Sequence, residues 1–229
     1  MKNHFLYMAV AFAIAAAGVY WLMLPVEKED GSIAADLPGS AIAQDDNSEE
    51  LDISSVVEMA LGPEEAAVTI YEYASFTCPH CADFHKNQYR DLKRDYIDTG
   101  KIRFIYRDVY FDRFGLWASM VARCDGERKF FAIADMIYQR QREWIGDGTD
   151  PLEIANSLRT IGKVAGLEED RLETCLSDVN HARTLVAWYE KNREEHDISS
   201  TPSLIVNGKK YSNMQYSELK AIIDDLLEQ

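Results

Sequence analysis

The chain has 229 residues, 47% of them hydrophobic and 28% charged, with a formal net charge of −15 at pH 7. These are the proportions of an ordinary globular protein, long enough for one cored domain that carries an insertion. The acidity speaks against nucleic acid or an anionic membrane surface as partner, and four cysteines suit one reactive pair plus one structural pair, not a disulfide-built scaffold.

Phe5 to Leu24 form an apolar run without charge, preceded by Lys2 and His4 and followed by Glu27, Glu29 and Asp30. As a helix the run is about 30 Å long, enough to cross a bilayer, and its flanking charges place the N-terminus in the cytoplasm and the rest of the chain outside. Residues 1–25 are therefore a cleaved signal peptide or an uncleaved membrane anchor. Bulky Tyr20, Trp21, Leu22 and Met23 close the run without a small-x-small pair directly behind it, which favours the anchor; Ala41-Ile42-Ala43 is a cleavage site far downstream. Residues 26–52 carry nine acids against one lysine and read as a disordered acidic linker. The folded domain is expected over residues 53–229.

Val68 to Ser75 reads as a strand. Asp83 to Tyr96 reads as a helix with Phe84, Tyr89, Leu92 and Tyr96 on its buried side, ended by Thr99-Gly100. Ile102 to Tyr106 is a second strand, so the unit is βαβ with a parallel pair. About five helices are expected over residues 112–196. Leu116, Met120, Val121 and Cys124 share one face; Asp150-Pro151 starts a helix continued by Leu152, Ala155, Leu158 and Ile161; Gly166 lies past its end. Leu172, Cys175, Leu176 and Val179 form another stripe, and Leu185, Trp188, Tyr189 and Asn192 lie on the last of these helices. Asn207-Gly208 then joins Ser203–Val206 to Lys209–Tyr211 as a hairpin, and Leu219, Ile222, Ile223, Leu226 and Leu227 mark a final helix. The class is α/β, in the order βαβ, helical insertion, ββα.

The chemistry is concentrated in Cys78-Pro79-His80-Cys81, at the junction of the first strand and its helix. Unpaired N–H groups and the helix dipole favour negative charge on Cys78. Pro79 suits the first turn, and His80 can give the sulfur a hydrogen bond or positive charge. Such settings hold a cysteine pKa at roughly 3.5–7.5, and a stabilised thiolate is a good leaving group, which makes the disulfide with Cys81 oxidising. Cys81, one turn further in, is the resolving partner. Zinc would need a second closely spaced pair, and Cys124 and Cys175 stand apart, so no metal is assigned. Thr201-Pro202 sits at the mouth of a strand, where proline is tolerated in any fold.

Glu72-Tyr73-Ala74-Ser75-Phe76-Thr77-Cys78-Pro79-His80-Cys81 together with Thr201-Pro202-Ser203 resembles the DsbA family of thiol-disulfide oxidoreductases, on the thioredoxin fold with a helical insertion. The resemblance implies a cis Pro202 packed against the cysteines, with Thr201 lining the exchange site. It implies that Glu72 is an acid beneath the cysteines that helps move a proton; an exposed strand carboxylate is the alternative. Cys124 and Cys175 read as a second disulfide inside the insertion, although members of the family both have and lack such a pair. Two separate buried thiols are the alternative, and export to an oxidising space favours the bridge.

The activity expected is that of an exported dithiol oxidase, a monomer in the bacterial periplasm, tethered to the inner membrane by residues 5–24. It would insert disulfides into cysteine-containing exported proteins without a cofactor. The family implies a membrane quinone-linked partner that reoxidises it. A disulfide isomerase or reductase is the alternative direction, though the linker is too short and polar for the dimerising N-terminal domain of such isomerases. A chaperone-like module with incidental thiols is the alternative class.

Overall fold

The computed structural model describes residues 51–229. The expected anchor or signal at residues 1–25 and the linker up to residue 50 lie outside them. Among the described residues no helix is long and apolar enough to cross a membrane.

A 3-10 turn at Ile53–Ser55, capped by the Asp52 carboxylate, leads into β1 (Met59–Leu61) and β2 (Val68–Ala74). Helix α1 occupies residues 79–97: it begins as Pro79–Phe84 and is wound as π-helix over His85–Tyr89 and Lys93–Ile97. β3 (Ile102–Asp108) follows. The insertion comprises α2 (Arg113–Arg123), α3 (Glu127–Gln139), α4 (Gln141–Ile145), α5 (Pro151–Val164), α6 (Glu169–Ser177) and α7 (Val179–Glu195). β4 (Ser203–Val206), β5 (Lys209–Ser212) and α8 (Tyr216–Leu227) complete the chain.

The sheet order is β1-β3-β2-β4-β5. β2 and β3 are parallel, in register from Val68 opposite Ile102 to Ala74 opposite Asp108, and every other pairing is antiparallel. The order βαβ…ββα is thus present, with β1 added at one edge and six insertion helices instead of five. β1 escapes a reading of periodicity because three residues are too few to alternate. Between β1 and β2 the chain passes so close to β3 that a Cβ at Gly62 would collide with the Ile102 carbonyl oxygen; Gly62 also has φ +85°. Asn207 and Gly208 both take positive φ, as a tight hairpin of this sequence requires. The Asn207 side chain also accepts from Thr69 N–H at 2.8 Å and donates to the Ala67 carbonyl at 3.1 Å, fixing the hairpin to the start of β2.

Side chains alternate across β2, so Ile70, Glu72 and Ala74 point to one face and Tyr71 and Tyr73 to the other. The first face joins Phe84, Leu92, Phe104 and the insertion's Leu116, Phe130, Ile137 and Leu158 in one continuous core. On the second, Tyr73, Val109, Tyr189, Ile198 and Ile205 form a smaller cluster with α7. α5 buries Ile154, Ala155, Leu158 and Ile161, whereas Leu152 is exposed in its first turn and does not belong to the stripe expected of it. Asp150 caps this helix by accepting from the N–H groups of Leu152 and Glu153. Cys124 and Cys175 are bonded, linking the end of α2 to α6 with a Cα separation of 5.7 Å. Arg123 is buried and donates to the buried Asp108 carboxylate at 2.7 and 2.9 Å, holding α2 to the end of β3.

Candidate active site

β2 ends at Ala74, and four residues later Cys78 is the N-cap of α1, with extended backbone, followed by Pro79 in the first turn. Proline is favoured there because its missing N–H is one that the helix leaves unpaired anyway. The Cys78 carbonyl accepts from the N–H groups of Cys81 and Ala82, so the sulfur sits beside the open donors of the first turn. Cys78 is 8% exposed and Cys81 fully buried, and both are free thiols.

The two sulfurs are in opposite electrostatic settings. The Cys78 thiol is lowered to about 5, chiefly by the S–H of Cys81; burial opposes the shift, while Thr201 and the backbone N–H groups of Cys81 and His80 add to it. Burial pushes the Cys81 thiol far up, and the neighbouring Cys78 and the Glu72 carboxylate add to that. One sulfur is thus held as an anion and the other as a proton donor to it. His80 contributes through its backbone; its imidazole is exposed and makes no hydrogen bond among the described residues, contrary to the expectation of a side-chain donor.

Thr201 closes the site from the other end of the chain. The Thr201–Pro202 peptide is cis, and the Cys78 S–H donates to the Thr201 carbonyl at 3.7 Å. The Thr201 hydroxyl is buried without a hydrogen-bond partner, which leaves it free to donate once the sulfur is ionised. Pro202 is buried behind it.

Glu72 is fully buried in the middle of β2, so the exposed-carboxylate alternative is wrong. Its Oε2 is 3.0 Å from His85 Nε2, and His85 is itself 3% exposed. The His85 ring stacks on Tyr138 with centroids 4.1 Å apart and lies 4.6 Å from Tyr89. Sequence reasoning passed over His85, although it stands four residues after Cys81 and so shares its inward helix face. It also passed over Gln141. From the start of α4 this buried side chain donates to the carbonyls of Phe76 at 2.8 Å and Cys78 at 2.9 Å, pinning the cysteine loop to the insertion. No local signal marks Gln141, because its partners lie more than sixty residues away. Cys124 and Cys175 are in the insertion and take no part in this cluster. Phe104 and Tyr106 of the aromatic-rich stretch are core residues, and Phe111 is exposed. Among the described residues no three His, Cys, Asp or Glu side chains are grouped as metal ligands would be.

The arrangement pairs a stabilised thiolate with a buried thiol three residues on, which is the equipment for dithiol–disulfide exchange. A thioredoxin family model matches residues 54–225. A Rickettsia bellii protein with a provisional protein-disulfide oxidoreductase name is 32% identical over 177 residues, covering 75% of this chain. This chain spans only 65% of that relative's length. Disulfide bond formation protein D of Bacillus subtilis is 26% identical over 73% of this chain and 76% of its own. The crystal structure of Wolbachia pipientis alpha-DsbA1 superposes with a TM-score of 0.69 at 26% identity, covering 75% of this chain and 91% of that one. The chain belongs to the thioredoxin family, and within it is similar to DsbA-like thiol-disulfide oxidoreductases.

Proposed function

We propose that this chain is a protein dithiol oxidase in which Cys78 is the exchanging sulfur and Cys81 the resolving one. The single observation that carries the reading is the opposed pair of sulfurs: Cys78 lowered to about 5 beside a Cys81 whose thiol is pushed far up. A client thiolate attacks Cys78 Sγ in the oxidised enzyme, the Cys78–Cys81 bond breaks, and Cys81 leaves with the electron pair and takes up a proton. A second client thiolate attacks the client sulfur of the mixed disulfide and releases Cys78 as its stable thiolate. The client loses two electrons, which remain in the reduced cysteine pair. Pro79 fixes the first turn, Thr201 and Pro202 form the wall against which the client strand lies, and Glu72 serves the proton on Cys81. The domain over residues 53–229 works outside the cytoplasmic membrane, in the bacterial periplasm, on cysteine-containing exported proteins. Residues 1–25 export it or anchor it there, residues 26–52 are its tether, and a membrane quinone-linked partner reoxidises it as a monomer.

The decisive measurement is the reduction potential of Cys78–Cys81 against glutathione. A value well above that of thioredoxin, about −270 mV, is expected because the reduced form is stabilised. A value near −270 mV overturns the oxidase direction. A Cys78→Ser variant that still oxidises reduced clients overturns the site assignment.

A further inference from the structure

The buried thiol of Cys81 must gain a proton when the client attacks and lose it when the enzyme is reoxidised. The front of the site, at Cys78 and Thr201, is where a client lies. At the back, Glu72 Oε1 and His85 Nδ1 are buried without a hydrogen-bond partner, as is the hydroxyl of Tyr89, whose ring lies 4.6 Å from that of His85. Unpaired buried polar atoms are costly, so two kept on one bonded pair, Glu72 and His85, call for a use. They are the two open ends of a chain whose middle is the 3.0 Å contact between Glu72 Oε2 and His85 Nε2. Glu72 acts electrostatically on Cys81. At the other end, His85 lines a groove of about 1040 Å³ between α1 and the α3–α4 region, with Ala82, Lys86 and Tyr138.

We propose that Glu72 and His85 form a proton relay joining the Cys81 sulfur to water in the groove behind α1, so that the proton bypasses the client. The proposal rests on the exchange chemistry above and adds His85 to it as a positioning residue acting through Glu72. When the Cys78–Cys81 bond breaks, the Cys81 sulfur takes a proton handed from His85 Nε2 through the Glu72 carboxylate. His85 Nδ1, itself enclosed, is resupplied by a water that enters from the groove; the net change is one proton from solvent onto Cys81. A neutral imidazole holds a proton on one nitrogen and accepts at the other, which suits it to this hand-over. The ring is held in place by Tyr138 from α3 and Tyr89 from α1, with Tyr106 of β3 at 6.1 Å. Besides these phenols and Glu72 of β2, the groove is lined by the charged side chains of Asp83, Lys86, Arg90, Lys93, Arg94, Asp98, Asp135, Arg140, Arg142 and Glu143.

The test uses the full chain with glutathione attached at Cys78, and follows how fast Cys81 displaces it across pH. His85→Ala is expected to slow this step roughly a hundredfold near neutral pH, the usual scale of a general acid–base contribution. The alkylation of Cys78 and its pH midpoint are expected to stay as in the wild type. Imidazole added from the groove side restores the rate, and pyrazole, of the same shape but a far weaker base, does not. His85→Gln, which fills the site and still bonds Glu72, is slowed alike and is not rescued. The relay is overturned if both variants keep the wild-type rate at every pH, or if pyrazole rescues as well as imidazole. A wild-type protein that forms no mixed disulfide at Cys78 overturns the exchange reading itself, which separates the two failures.

Discussion

Replacing Cys81 by alanine tests the electrostatics of the site most directly. The S–H of Cys81 is the largest contributor to holding Cys78 at about 5. A hydrogen bond to a charged group contributes about 1.5–3 kcal/mol, and one pKa unit corresponds to about 1.36 kcal/mol. Losing that donor should therefore raise the Cys78 midpoint by about one to two units, to roughly 6–7, with Thr201 and the backbone N–H groups of Cys81 and His80 remaining. The assay is the thiolate absorbance of the reduced protein as pH is varied, checked by the rate of alkylation with iodoacetamide. The same shift should appear in stability. The folded-state value of Cys78 lies below that of a free thiol, about 8.5, so the stabilisation is full above that pH and is lost as pH falls through about 5. In Cys81→Ala it is lost earlier, through roughly pH 7 to 6. The stability gap between reduced wild type and variant should accordingly widen by about 1–2 kcal/mol from pH 5 to 7. A variant midpoint still at about 5 would show that Cys81 is not the donor, and a wild-type midpoint near 8.5 would remove the stabilised thiolate altogether.

Gln141→Leu should leave the Phe76 and Cys78 carbonyls without their shared donor. A loss of about 1–3 kcal/mol in urea unfolding is expected, together with a changed Cys78 midpoint, and a midpoint that does not move would separate the clamp from the chemistry. Cys124→Ala with Cys175→Ala opens a closure of 51 residues and should cost about 3–4 kcal/mol, with Cys78 alkylation unaffected. Asp108→Ala strands the buried Arg123 and should destabilise by about 3–5 kcal/mol, whereas replacing both partners with apolar residues should recover much of it; a mild single variant would refute the buried pairing.

The parts of this molecule that were readable from the sequence are those whose cause is local. Asn207-Gly208, Asp150-Pro151 and the apolar spacing of Phe84, Tyr89, Leu92 and Tyr96 each carry their own geometry, and each is found where its chemistry places it. The cysteine motif announces redox chemistry because two thiols at that spacing can meet within one helical turn. What the residues alone could not reveal depends on packing between distant segments. Glu72 could have been exposed or buried until α1 was laid over its face of the sheet. His85 and Gln141 acquire their significance only from partners on other elements, and the exposed Leu152 shows that an apolar letter at the right spacing is not always covered. β1 is too short to leave a periodic trace and exists because β3 offers it an edge.

The cysteine loop is gripped by residues that leave the ribosome at very different times. Gln141 follows Cys78 by 63 positions, and Thr201 follows it by 123. β4, which carries the chain on from Thr201, can pair with β2 only after the whole insertion has been made. A chain made only as far as α1 therefore displays the cysteines without the Gln141 clamp and without Thr201 against Cys78. The site is completed only once the segment beyond the insertion has docked on the cysteine loop, and nascent neighbours meet an unfinished one until then.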